Sequence, residues 1–410
     1  MWRNRTLVAL LTAEIVSSTG SVLTFVALPW FVLETGSPTR MSIVLAAEVL
    51  PMALFGIPSG SVVARIGARR SMLIGDAVRA PLVALIPVLH WSGHLSFGLL
   101  LAIVFAIGIF TAPYISSQRV IVPELFGDDE TLVSKASGLF SGANQLPILI
   151  GPALGGVLVG LIGTAPLLVI DGATFLFAFF AVLLFVHGGR RVPADDSSKG
   201  IFAGVRYLAR DKLLGPMALT LIVLDGAANG IAVAVPLLAF TRYDENPHVF
   251  GWIFSAFGIG AVASSILVLK LLDLIAPLKL ACIGIIGATI PIWFVAPDVP
   301  WPVACLAVFV CGAFVPLVNA PFMGILTTRP PESVRPKVLT AVMTASALGV
   351  PFGRLLIGPV YNAGGNSAVW LAIAGGMSLG ALLFVAAAIR GSAGDAPDVV
   401  AIADIAESEA

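Results

Sequence analysis

The sequence predicts an all-α membrane protein with twelve transmembrane helices in two pseudo-symmetric six-helix bundles. Three observations predict it. Cutting the chain at its Pro, Gly and charged punctuation leaves twelve apolar stretches, each long enough to cross a bilayer. Lys and Arg collect in every second gap between those stretches. Landmarks of the first half return in the second at an offset of 207–209 residues.

The predicted stretches are 7–33, 41–64, 71–90, 95–118, 137–162, 166–187, 214–240, 249–272, 278–296, 300–326, 338–362 and 367–390. Each must be helical, because an open strand edge leaves backbone groups unsatisfied in lipid. Composition agrees: 58% of the 410 residues are hydrophobic and 11% charged, with a mean hydropathy of +1.01. A soluble core cannot hide that much apolar surface.

Of the twenty-three basic residues, nineteen lie in the even-numbered gaps, at the stretch edges that border them, or at the two ends. Arg40 and Arg242 lie in odd gaps, and Arg79 and Arg354 inside apolar stretches. Basic loops stay in the cytoplasm, so both termini are expected there, in a plasma-membrane protein. Met1 to Arg5 is a short basic lead, and the first stretch reads as an uncleaved anchor rather than a signal peptide. Trp30, Trp91, Trp252, Trp293, Trp301 and Trp370 fall at stretch ends on the expected outer side, where an indole keeps its N–H wet.

The domains read as 1–187 and 214–390, joined by a cytoplasmic linker at 188–213, with an acidic, solvated tail at 391–410. The linker holds Arg190-Arg191 and Asp195-Asp196, then Ile201, Phe202, Val205 and Leu208 at helical spacing. That spacing predicts a short amphipathic surface helix. The repeat shows in four matches. Ala27-Leu28-Pro29 returns as Ala234-Val235-Pro236, and Pro38 as Pro247. Pro123-Glu124 returns as Pro331-Glu332, and Gly151-Pro152 as Gly358-Pro359. A parallel duplication of this kind is the layout of carriers whose halves rock about a midplane site.

Several function classes are excluded. Formal net charge is zero, which gives no pull toward nucleic acid. No G-x-x-x-x-G-K-[ST] loop is present, which argues against an ATP-driven pump. Cys282, Cys305 and Cys311 lie in apolar stretches without metal or disulfide spacing, and the four histidines fall at helix ends or loops. No catalytic cluster, metal or cofactor is predicted.

Ionisable groups at membrane depth cost about 2.5–3.5 kcal/mol each on insertion scales, so they mark function first. Seven occur: Glu14, Glu48, Asp76, Arg79, Asp171, Asp225 and Arg354. Asp225, midway along the seventh stretch, has Asn229 one turn further on the same face. Such a carboxyl can take a proton from one side and release it to the other; alternatively it is hydrogen-bonded within the bundle. Glu14 is the second proton candidate. Asp76 and Arg79, three apart, read as a structural pair, with Glu14 a competing partner for Arg79. Asp171 reads as hydrated near the outer interface. Glu48 and Arg354 each lie about 10 Å deep at roughly 1.5 Å per residue. Polar and aromatic cavity candidates are Asn144, Gln145, Asn319, Phe25 and Phe110; amides also serve as interhelical glue.

Gly60-Ser61-Val62-Val63-Ala64-Arg65-Ile66-Gly67-Ala68-Arg69-Arg70 resembles the G-x-L-x-D-R-x-G-R-R loop signature of the major facilitator superfamily. Gly60, Arg65, Gly67, Arg69 and Arg70 fit; Ala64 stands at the acidic position and Ala68 at one basic position. Gly151-Pro152-Ala153-Leu154-Gly155-Gly156 resembles the G-P-x-x-G-G signature of drug:proton antiporters. Gln118–Leu125 and Thr35–Pro38 resemble the twelve-helix drug and siderophore exporters related to macrolide efflux and enterobactin exit proteins.

The resemblance implies a central cavity lined by the first, fourth, seventh and tenth helices, which include Glu14 and Asp225. It sets Glu48 and Arg354 on helices facing across the seam between halves, where an ion pair would gate the outer side. It implies proton-coupled efflux of small apolar or amphipathic compounds, with protons and lipid as partners and a monomer as the working form. Two bland readings stand beside it: Arg65, Arg69 and Arg70 as topology anchors, and Gly151, Pro152, Gly155 and Gly156 as packing or hinge residues. Uptake or facilitated diffusion, or a transport-inactive membrane sensor, are the alternatives.

Overall fold

A computed structural model describes residues 4–127, 130–187, 201–331 and 334–391. The start of the basic lead, Glu332 of the repeat, most of the linker and the acidic tail beyond Gly391 lie outside the described residues, as do the side chains of Ile201 and Phe202.

Among the described residues there is no strand. The helices are α1 (Arg5–Thr35), α2 (Pro38–Ile66), α3 (Ala68–Trp91), α4 (Phe97–Gln118), α5 (Ile121–Phe126), α6 (Glu130–Ile162) and α7 (Thr164–Phe185). They continue with α8 (Ile201–Arg210), α9 (Leu214–Thr241), α10 (Pro247–Leu274), α11 (Pro277–Thr289), α12 (Trp301–Thr328) and α13 (Arg335–Gly391), and a 3-10 turn over Ile290–Val295 prolongs α11. Eleven described helices are long and apolar enough to cross a membrane; α5 and α8 are too short. The last two predicted stretches both lie in α13, which breaks at Gly364 and Gly365. Gly365 has φ +68°, a conformation that glycine takes at no steric cost.

Polar residues set the helix starts, and they repeat with the halves. Asn4 Oδ1 accepts from Leu7 N–H at the start of α1. Asp211, 207 residues later, accepts from Leu214 N–H at the start of α9. Pro38 and Pro247 are the first residues of α2 and α10, where a missing N–H is harmless. Ser37 and Asn246 each offer a side-chain oxygen to a backbone N–H just after those prolines.

Outward faces are apolar: Leu161, Ile266 and Leu274 are all exposed. A chain in water would bury such side chains; lipid makes their exposure costless. Trp91, Trp252, Trp293 and Trp301 are exposed. Trp30 and Trp370 are buried instead. The Trp30 ring packs against Phe240 and Phe250, so its role is core packing rather than anchoring at the interface.

The chain forms two compact units: Met1–Ala194 with Pro236–Ser255, and Asp195–Val235 with Ala256–Ala410. In the first, α1 packs on α6 and α7, α2 on α4, and α3 on α4 and α7. Pro236–Ser255 joins this unit through aromatic contacts, with Phe254 5.0 Å and edge-on from Phe25. In the second, α11 packs on α12 and α13, and α8 lies against α13. The expected amphipathic helix is α8, but its buried face holds Gly204, Tyr207 and Leu208. Val205 is 52% exposed, because a Cβ at Gly204 would collide with Lys337 and that contact turns Val205 outward.

Candidate functional site

Four buried ionisable groups meet inside the first unit: Glu14 (0% exposed) on α1, Asp76 (0%) and Arg79 (4%) on α3, and Asp171 (1%) on α7. Arg79 Nη2 donates to Asp76 Oδ1 at 2.6 Å, and its Nε donates to the Gly75 carbonyl at 3.2 Å. The guanidinium lies between two rings, 3.9 Å from the Tyr114 centroid and 4.3 Å from that of Phe175. Such stacking favours a desolvated cation. A glycine at 75 permits it, since a Cβ there would sit 3.1 Å from the Tyr114 ring.

Glu14 does not pair with Arg79. Its Oε1 accepts from Ser18 Oγ at 2.8 Å and from Gln118 Nε2 at 2.7 Å. The expectation of a hydrated Asp171 is corrected. Thr24 Oγ1 donates to its Oδ2 at 2.5 Å, and Thr174 Oγ1 lies 3.2 Å from its Oδ1. The physical reason is local: α7 begins at Thr164 and turns Asp171 toward α1, where hydroxyls replace water. Gly20 on α1 leaves the space that the Asp171 and Thr174 side chains occupy.

A cavity of about 300 Å³ adjoins this network. Its wall includes Gln118, Arg119, Phe140, Ser141, Asn144 and Gln145, from α4 through α6. Gln118 donates to Glu14, and Ser18 Oγ is 3.1 Å from Asn144 Oδ1. The Glu14 carboxylate is therefore one hydrogen bond from the cavity wall through Gln118 and two through Ser18 and Asn144. Phe110 is half-buried on α4, and Phe25 faces Phe250 and Phe254.

In the second unit Asp225 is half-buried and accepts a short hydrogen bond from Ser346 Oγ. Asn229 donates to the Asp225 carbonyl at 3.0 Å. Asn319 is exposed on α12. Glu48 is half-buried on α2 in the first unit, and Arg354 is buried on α13 in the second.

The loop signature resolves into separate jobs. Gly67, with φ +89°, ends α2 and starts α3, so only glycine fits without strain. Arg69 donates to the carbonyls of Leu183 and Val186 at the end of α7, where a cation also meets the negative helix end. Arg65, Arg70 and Gly60 are exposed. Glu124 of α5 accepts from Ala68 N–H at 3.1 Å, capping α3 from outside the signature. Burial pushes the Glu124 carboxyl above the ordinary carboxylate range, and the Ala68 N–H opposes that rise.

The glycines of the second signature are contact points. Cβ atoms at Gly151 and Gly155 would strike Val22 and Val26 of α1. One at Gly156 would stand 2.5 Å from the Pro247 carbonyl oxygen, and one at Gly251 2.6 Å from that of Pro152. Sequence reasoning missed Ser18, Tyr114 and Thr24 in the charged cluster. Their types are common in membrane helices, and only α-helical register relative to Glu14 and Asp171 could have pointed to them.

Similarity to known proteins matches this architecture. Residues 2–409 match the family described as transmembrane secretion effector, of the major facilitator type. The chain belongs to that family. A multidrug efflux pump, Tap, from Mycolicibacterium fortuitum is 27% identical over 383 residues, covering 90% of this chain and 92% of the pump. Macrolide efflux protein A from Streptococcus pyogenes is 20% identical over 352 residues, covering 82% and 84%. Among solved structures, the nucleoside transporter NupG superposes with a TM-score of 0.74 at 14% identity, over 93% of this chain and 98% of that one. An inward-facing, occupied bacterial homologue of the lysosomal transporter Spinster gives 0.71 at 14% identity, over 94% and 95%. This member of the family is thus a multi-pass membrane transporter with a major facilitator fold, similar in sequence to multidrug efflux pumps.

Proposed function

We propose that this transporter exports small apolar or amphipathic compounds across the plasma membrane, driven by inward proton movement through alternating access. The single observation that carries the reading is Glu14: a fully buried carboxylate hydrogen-bonded to a residue lining a 300 Å³ cavity. A carboxyl so placed loses its negative charge by taking a proton and regains it by release, so its hydrogen bonds to Ser18 and Gln118 change with its charge. That links proton occupancy to the cavity wall. Asp225 on α9 serves as a second proton-sensitive group, with Ser346 as its donor.

Efflux as the direction, and drug-like compounds as the cargo, draw support from the multidrug and macrolide efflux proteins that the chain resembles. Cytoplasmic termini draw support from the alternating basic loops, and one chain supplies both units, so a monomer suffices.

The test uses inside-out vesicles with an imposed pH gradient, acid inside, and ethidium and other lipophilic dyes as probes. Gradient-dependent dye accumulation that a protonophore abolishes is the expected result. Accumulation of no compound, or accumulation indifferent to the gradient, overturns the reading.

A further inference from the structure

Arg79 is the centre of an unbalanced site. Around it stand Asp76 from its own helix, Asp171 from α7 and Glu14 from α1, with the Tyr114 ring of α4 stacked on the cation. The charges of Glu14 and Asp171 both reach Asp76, and the charge of Arg79 reaches all three carboxyls. From α6 comes the Asn144 amide, which adds no charge. Fully ionised, three carboxylates and one guanidinium leave two negative charges uncompensated among groups that water does not reach. Burial of unpaired charge is among the most expensive arrangements a protein can hold.

Two oxygens mark where the balance is missing. Asp76 Oδ2 and Glu14 Oε2 are buried and have no hydrogen-bond partner, although the other oxygen of each carboxyl is engaged. The described residues contain no group of three acidic, His or Cys side chains converging as a metal site would require. A proton is the smallest cation able to neutralise a carboxylate oxygen, and it needs no coordination shell.

A path from the cavity exists in the geometry. Gln118 and Asn144 line the cavity and reach Glu14 directly or through Ser18. The Tyr114 hydroxyl lies beside the Glu14 carboxyl and Ser17, while its ring covers Arg79. The cluster is thus continuous from cavity wall to Asp171 by way of α1, α4 and α3.

We propose that the Glu14–Asp76–Arg79–Asp171 cluster is a buried proton-binding site that stores the coupling proton. Asp76, read from sequence as half of a structural pair, is a proton-holding carboxyl in this site. A proton arriving at Glu14 from the cavity neutralises that carboxylate; one resting on Asp76 loosens its ion pair with Arg79 and frees the guanidinium to serve Asp171. Release to the cavity restores the original pairing, and no other reactant is needed. Its part in transport rests on the proton-coupled reading above, but its existence does not.

Infrared difference spectra of the purified full chain, stepped through pH in lipid nanodiscs, test this without any substrate. A carbonyl band from protonated, water-excluded carboxylic acid is expected in the wild type. Asp76→Asn and Glu14→Gln should each lose part of it, Asp225→Asn should keep that part, and Arg79→Lys should shift it. Wild-type spectra without such a band overturn the proposal, whether or not any variant folds. So does a band that survives intact in both folded variants. A titrating band beside gradient-independent dye movement would uphold the site while removing proton coupling; coupled efflux without the band would do the reverse.

Discussion

The two halves of the chain descend through matching landmarks but treat charge in opposite ways. At the offset of 207–209, Asp76 falls on Ile283–Ile285, Arg79 on Ile286–Ala288, Asp171 on Ser378–Gly380 and Glu14 on Leu221–Val223. None of those positions is charged. In the second unit the helices approach closely instead: a Cβ at Gly284 would stand 2.8 Å from the Leu317 carbonyl carbon of α12. The only carboxyl in the corresponding region is Asp225, at the place of Ser18. So α11, the counterpart of α3, packs on α12 and α13 without the ions that α3 and α7 carry. A buried ion pair is no stabiliser by default, since well-packed apolar groups often do as well or better. The charges of the first unit are therefore not demanded by helix packing, which is why we assign them to function.

The sharpest way to break that contrast is to remove the cation alone. Arg79→Ala leaves three buried carboxyls around an empty space and should destabilise the chain by about 3–5 kcal/mol, read as loss of folded protein or a large drop in Tm in detergent. Giving the first unit the character of the second should be far milder. Asp76→Leu with Arg79→Leu removes both charges together, and the doubly substituted protein should fold while its gradient-driven dye efflux disappears. If that protein transports normally, the functional assignment of the cluster fails.

Packing differs between the halves as well. Gly155 and Gly156 have Asn362 and Ala363 at the matching positions. Gly155→Val places its Cβ about 2.8 Å from Val26 Cγ2, so overpacking of about 1–3 kcal/mol is expected, measured by thermal denaturation.

Much of this was legible in the sequence, for reasons that can be named. Pro29 and Pro236, or Pro38 and Pro247, carry backbone consequences that survive any packing, so the repeat showed in the letters. Asp76 and Arg79 are three apart on one helix, so their pairing followed from helical geometry alone. Asp171 did not, because its partners Thr24 and Gly20 are about 150 residues away and its own surroundings look like an interface. Helical spacing shows that α8 has an apolar face, not that neighbouring backbone turns Val205 outward. Glu124 reaches Ala68 across 56 residues of chain, a separation that no periodicity describes. Local rules reach as far as one helix; the cluster is made of four.

A smaller effect separates the two candidate proton carriers. Glu14→Gln keeps an acceptor and an amide near Ser18 and Gln118 but cannot ionise. It should lower gradient-driven efflux at least about tenfold, about 1.4 kcal/mol. Asp225→Asn, at a half-buried site with one hydroxyl partner, should lower it no more than about threefold, under about 1 kcal/mol. Equal losses, or a larger loss at Asp225, would shift coupling to the second unit.

The smallest expected effect concerns how each half starts the matching helix. Pro277 opens α11 with no N–H to satisfy, whereas Ala68 at the corresponding place in α3 has one and Glu124 accepts it. Glu124→Ala should cost about 1 kcal/mol, as loss of a helix cap does. Glu124→Gln, which still offers an oxygen, should cost a few tenths. The ionisable form also leaves a signature in pH. Because burial holds the Glu124 carboxyl above its ordinary range, the folded chain keeps this proton where the unfolded chain has lost it. Its stabilising contribution is present below the unfolded value, near 4.3, and fades as pH rises through the higher folded one. A pH series of Tm for Glu124→Gln should therefore decline less than wild type across that weakly acidic window, and Ala68→Pro should make the first unit indifferent to the residue at 124.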